Sequence, residues 1–194
     1  MDTYAKPENV DTNVIKNLGP FTPLIGTWEG EKGTDIAPIK DGSDETKFRE
    51  QITFEPLGPV INGPQVLYGM SYKCVAWPIG EEEAFHQEVG YWLWDPKDKQ
   101  VMRCFMVPRG VVLIAGGTAE ADAKSFDMEA NAGSETYGIL SNPFINTSKR
   151  TIKYTLSVII EDNNHFSYEE DTILQIHGVK EPFHHTDGNR LQRV

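Results

Sequence analysis

The run Thr151-Ile152-Lys153-Tyr154-Thr155-Leu156-Ser157-Val158-Ile159-Ile160-Glu161 decides the fold. Ile152, Tyr154, Leu156, Val158 and Ile160 fall on one parity, and Lys153, Thr155 and Ser157 on the other. That period of two belongs to a β-strand with one face against a core. Asp162-Asn163-Asn164 supplies turn residues, after which Phe166, Tyr168, Thr172, Leu174 and Ile176 share a parity, so the two runs should pair as an antiparallel hairpin. Similar segments are Thr27 to Gly30, Lys47 to Phe54, Gln65 to Trp77, Gln87 to Trp94, Val101 to Val107, Gly110 to Ala115, Ser125 to Ala130, Gly138 to Leu140 and Asn189 to Val194. The alternation count gives about ten or eleven strands. Gly and Pro punctuate the chain after Pro23, and no long helical pattern intervenes. The expected fold is all-β, an up-and-down antiparallel β-barrel of about ten strands closed to remove its edges, with a sandwich as the alternative. A barrel wider than roughly eight strands can enclose a ligand cavity, so function is expected inside it.

Upstream, Val10, Val14, Ile15 and Leu18 recur at helical spacing and end at Gly19-Pro20, which predicts a short amphipathic helix. Residues 1–20 are thus expected to form an N-terminal extension and residues 21–194 the barrel domain.

Composition narrows the function. Eighteen Lys and Arg against 29 Asp and Glu give a net charge of −11, which repels phosphate backbones and anionic membrane surfaces. Nucleic acid and membrane are therefore excluded as expected partners. The longest apolar stretches, such as Val111 to Ala115, fall far short of the roughly 20 residues a membrane helix needs. The first twenty residues lack the apolar segment of a signal peptide, so a cytoplasmic location is expected. Cys74 and Cys104 have no metal-site neighbours and read as buried small hydrophobes. No phosphate-binding glycine loop, G-x-S-x-G elbow or H-E-x-x-H helix occurs. Runs such as Glu81-Glu82-Glu83 read as solvated turns, and Asn146-Thr147-Ser148 as an accidental sequon.

The histidines carry more information. His165 follows a turn and His177 precedes Gly178 at a strand end, so both read as surface residues. Neighbouring strand residues face opposite sides, so at most one of His184 and His185 can point into a barrel. His185 shares parity with Asn189 and Leu191 and is the inward candidate, unless Asp187-Gly188-Asn189 forms a bulge that switches the parity.

Here the residues resemble a known family, the nitrobindin-like or THAP4-like heme-binding β-barrels. Pro23-Leu24-Ile25-Gly26-Thr27-Trp28-Glu29-Gly30-Glu31-Lys32-Gly33 is similar to the family's opening motif, and His86-Gln87-Glu88-Val89-Gly90-Tyr91 to its H-x-E-x-G-Y strand. Val107-Pro108-Arg109-Gly110-Val111 resembles a later strand joint, and Glu181-Pro182-Phe183-His184-His185 the histidine-bearing last strand. His185 lies three residues after Pro182, where family histidines commonly lie four after, the place of Thr186. The resemblance implies a ten-stranded barrel in which a C-terminal histidine binds ferric heme b. On this chain that is His185, with His184 second, and with His86, Phe183, Trp92 or Trp94, and Arg109 near the pocket. It further implies nitric oxide binding and a peroxynitrite isomerase-like activity conditional on heme.

Two other readings stay open. The barrel could carry a fatty acid or other apolar ligand, its carboxylate fixed by Arg103 or Arg109. It could also be a small enzyme using Arg109 and Glu88, although Glu88 is expected to face outward because an inward carboxylate would need a partner. A homodimer through outward apolar positions is a further expectation.

Overall fold

The computed structural model describes residues 2–194. Eleven strands follow in chain order: β1 Gly26–Ile39, β2 Gly42–Asn62, β3 Gln65–Pro78, β4 His86–Asp95, β5 Gln100–Val107 and β6 Val111–Thr118. They continue with β7 Ser125–Ala132, β8 Gly138–Ser141, β9 Lys149–Ile160, β10 His165–Ile176 and β11 Phe183–Arg193. They close into a barrel in the order β1-β11-β10-β9-β7-β8-β6-β5-β4-β3-β2, so β1 bonds both β2 and β11 and the expected closure is present. Closure removes the free edges that an open sheet would present.

The alternating run from Thr151 forms, with the segment after Asn164, the β9/β10 hairpin, in which Phe166 stands opposite Ile160 and Tyr168 opposite Val158. Tyr154, Leu156, Val158 and Ile160 are buried as the alternation requires. The meander is broken at one place. β8 inserts between β6 and β7 and pairs with β7 in parallel, so the barrel is not purely up-and-down. Asn142 caps a short helix there, α2 Pro143–Ser148, by accepting from the Ile145 N–H, and Pro143 sits in its first turn where a missing N–H costs nothing. This helix, which includes the sequon, was not expected.

The N-terminal helix is shorter than its periodicity predicts. α1 spans only Val14–Asn17, Ile15 is exposed, and the chain continues as a 3-10 segment, Gly19–Leu24. Gly19 adopts a φ of +57°, and a β-carbon there would lie 2.6 Å from the Trp94 indole. Only glycine lets the chain turn this tightly against that ring. The segment drives Leu18, Phe21 and Leu24 into one end of the barrel with no exposed surface. Phe21 meets Trp92 and Phe126 edge-on at 5.5 Å, and Trp28 donates its indole N–H to the Leu24 carbonyl at 2.7 Å. That end is a packed aromatic plug, and the opposite end is left open.

Cys74 is buried as expected, but Cys104 is only partly so, because its parity on β5 turns it outward. No helix among the described residues is long and apolar enough to cross a membrane.

Candidate functional site

Inward-facing residues above the plug enclose a cavity of about 610 Å³, within the 300–1,000 Å³ typical of ligand pockets. Phe54, Trp92 and Phe166 form its floor, Trp92 standing edge-on to Phe54 at 5.3 Å. Apolar side chains including Ile52, Phe105, Val107, Val111 and Leu113 make much of the wall, and Phe85 and α2 residue Phe144 stand near the mouth. Arg109 and Lys149, both exposed, also line the cavity.

His185 lines this cavity and His184 does not. The β10/β11 register is unbroken from His165 opposite Gln192 to Leu174 opposite Phe183, so Asp187-Gly188-Asn189 forms no bulge. The register shift with β1 lies instead on the β1 side, between Glu29 and Thr34. Parity therefore carries from buried Leu191 and Asn189 back to Asp187 and His185. His184 points outward, with its Nδ1 at 2.6 Å from Asp171, and Thr186 shares that outer parity. His185 Nε2 lies 2.8 Å from Asp35 Oδ1, and its second ring nitrogen has no hydrogen-bond partner among the described residues.

On the same wall, Asp35 stands directly opposite Asp187, and Asp187 opposite Glu170. Three carboxylates in one cross-strand row repel one another. Asp35 is relieved by His185 and Glu170 by Arg103, while burial and the charges of Glu170, Glu50 and Asp35 push Asp187 well above the usual carboxylate range. Glu50 below them is 3% exposed. Burial raises it to about 7, even though the Tyr168 hydroxyl donates to it at 3.0 Å and Cys74 Sγ lies 3.5 Å away. These groups line one side of the cavity with carboxyls, two of them, Asp187 and Glu50, held toward their protonated form by burial.

Glu88 corrects an expectation. It faces inward, 4% exposed, where the cost of burying a carboxylate had argued for the outside. The compensation is Arg103, which sits opposite Trp92 on β5 and is itself 5% exposed. Its guanidinium donates to Glu88, Glu170 and the Tyr154 hydroxyl, and its Nε donates to Tyr72 at 3.1 Å. Tyr72 in turn donates to Glu88 at 2.9 Å. Burial alone would raise Glu88, but the Arg103 charge, with His86 and Tyr72, lowers it to about 2. His86 also lines the cavity, with Nε2 3.6 Å from Glu88 Oε2.

The remaining expected residues divide. Trp92 and Arg109 line the cavity. Phe183 has the inward parity but is not among the lining residues, since it lies at the first position of β11. Trp94 belongs to the plug, and His165 and His177 are spent on a contact to Asp162 and on an exposed strand end. Tyr72, Tyr154, Tyr168, Glu50, Asp35, Asp187 and Glu170 were missed. Their inward parity was available, but their partners come from other strands and only the register unites them.

A bound heme would require an axial donor, an apolar cleft and contacts for two carboxylate substituents. The residues present fit: His185 has a free ring nitrogen while Asp35 orients the ring, the arrangement usual for a metal-bound imidazole, and Arg109 and Lys149 offer cations. Arg103, by contrast, is engaged by Glu88 and Glu170 and leaves a fatty-acid carboxylate no free guanidinium at depth.

None of the curated protein sequences compared is similar to this chain. Among solved structures, Rv2717c from M. tuberculosis is similar in fold, with a TM-score of 0.64 at 19% identity, covering 94% of this chain and 98% of that one. Residues 17–193 match the model of the THAP4-like, heme-binding beta-barrel domain, and the chain belongs to that family.

Proposed function

We propose that the barrel binds heme b through His185 and takes up nitric oxide. The observation that supports this most is His185 itself: an inward imidazole at a cavity of about 610 Å³, held by Asp35 on one nitrogen and unpartnered on the other. Asp35 fixes the orientation of the imidazole ring. The apolar wall excludes water from one side of the ligand, and Arg109 and Lys149 are the cations available to its carboxylates. A bound heme supplies an iron whose remaining coordination position can take a diatomic such as nitric oxide. Peroxynitrite scavenging would use the same position.

The test is a hemin titration of purified protein by absorbance, beside His185→Ala, His184→Ala and Asp35→Asn. The expected result is a saturable Soret shift lost in His185→Ala, kept in His184→Ala and weakened about 10–100-fold in affinity in Asp35→Asn. Absence of a shift in the unsubstituted protein refutes the proposal and leaves an apolar ligand carrier as the reading to pursue.

A further inference from the structure

A ligand held at His185 leaves the second histidine–carboxylate pair of the cavity without a role. His86 and Glu88 lie on β4, four strands from β11 around the ring of eleven, and face the same space. Glu88 cannot turn away from His86, because Tyr72 and Arg103 fix its other oxygen. His86 is partly open, its side chain 32% exposed, and its Nδ1 has no hydrogen-bond partner among the described residues. A solvated surface histidine would not need a buried carboxylate behind it, and Arg103, whose single charge is shared between Glu88 and Glu170, leaves Glu88 able to hold a second cation.

We propose that His86, positioned by Glu88, is the hydrogen-bond donor that the cavity offers to a small anionic ligand held opposite His185. This rests on the heme reading and adds a polar partner for whatever occupies the open coordination position. The charged groups that face His86 decide its state. Burial works against its charge, but Glu88 on its own strand and Glu170 from β10 raise its pKa above the usual histidine value, with Arg109 from the β5/β6 turn opposing. Ala76, its partner on β3, brings no charge. The imidazolium therefore persists to a higher pH than in an exposed histidine, with an N–H to donate.

Azide is the probe. Its affinity for the ferric, hemin-loaded protein is measured by Soret titration for the unsubstituted chain, His86→Ala, His86→Gln and Glu88→Gln, from about pH 5.5 to pH 8.5, a span that brackets the ordinary histidine value. In the same series the His86 imidazole of the hemin-free protein is titrated by NMR. We expect about tenfold weaker azide binding in His86→Ala at the acid end, the size of one hydrogen bond to a charged group. We also expect partial recovery in His86→Gln, with a saturable Soret shift on hemin addition present in both variants. The difference from His86→Ala should close as pH rises through the His86 midpoint, and in Glu88→Gln both that closure and the NMR midpoint should move to lower pH. Equal azide affinity with and without His86, with the Soret band intact, overturns this proposal alone. Absence of a saturable Soret shift on adding hemin to the unsubstituted protein overturns the heme reading and this proposal with it.

Discussion

Arg103→Met removes the guanidinium that joins Glu88, Glu170, Tyr72 and Tyr154 at the heart of the barrel. Methionine fills much of the volume, so the loss is chiefly electrostatic. Two routes give its size. Glu88 sits at about 2 against an ordinary 4.5, which is about 3 kcal/mol of stability at neutral pH. Independently, stripping one partner from a buried ion pair costs about 3–5 kcal/mol. At roughly 2–4 °C per kcal/mol for a chain of this length, the melting temperature should fall by about 6–20 °C. The pH dependence carries the sharper test. Because the folded value of Glu88 lies below the unfolded one, its contribution is fully present above about 4.5 and is lost as pH falls toward about 2. The variant lacks that contribution at every pH, so its deficit against the unsubstituted protein should shrink from about pH 7 to about pH 3. Urea denaturation followed by tryptophan fluorescence at both pH values measures this. A deficit under about 1 kcal/mol, or an equal deficit at both pH values, would refute the network as described.

Glu50→Gln should act in the opposite direction. Burial first, with neighbouring Glu170, holds the Glu50 carboxyl at about 7, so its stabilising protonated form is fully present below about 4.5 and is lost as pH rises through about 7. The variant should gain on the unsubstituted protein by up to about 3 kcal/mol over that window in urea titrations, and parallel pH curves would contradict the assignment. Gly90→Ala tests the barrel itself: a β-carbon at this position would overlap the Cys104 carbonyl of the neighbouring strand. Backbone cannot yield as a side chain does, so a loss of about 1–3 kcal/mol or more is expected on unfolding, and a neutral result would mean that β4 and β5 are not in this register.

The fold was legible because alternation is a local property. Tyr154, Leu156, Val158 and Ile160 announce an inner face within one strand, and closure follows from the number of such strands. The parity of His185 was legible for the same reason, and the unbroken β10/β11 register kept it. What alternation could not reach were relations between strands. Glu88 shares parity with His86 and Trp92, yet the cost of a buried carboxylate argued against placing it with them. The compensating Arg103 is fifteen residues away, and nothing local marks it as a partner. The row Asp35, Asp187 and Glu170 is assembled from three strands and appears only with the register. At the N-terminus the helical stripe misled, because Pro20 and Pro23 favour a 3-10 path that serves the plug better than a longer helix. The Asn142-Pro143 cap of α2 was a readable signal that the surrounding strand pattern obscured.

The central claim concerns one atom pair, the iron and a ring nitrogen of His185. Crystals of the hemin-loaded protein, measured at the iron absorption edge, would locate the iron from its anomalous scattering alone. A single peak inside the barrel at bonding distance from His185 is expected, with Asp35 still hydrogen-bonded to the other nitrogen. A peak at His184 or His86, or one outside the cavity, would contradict it.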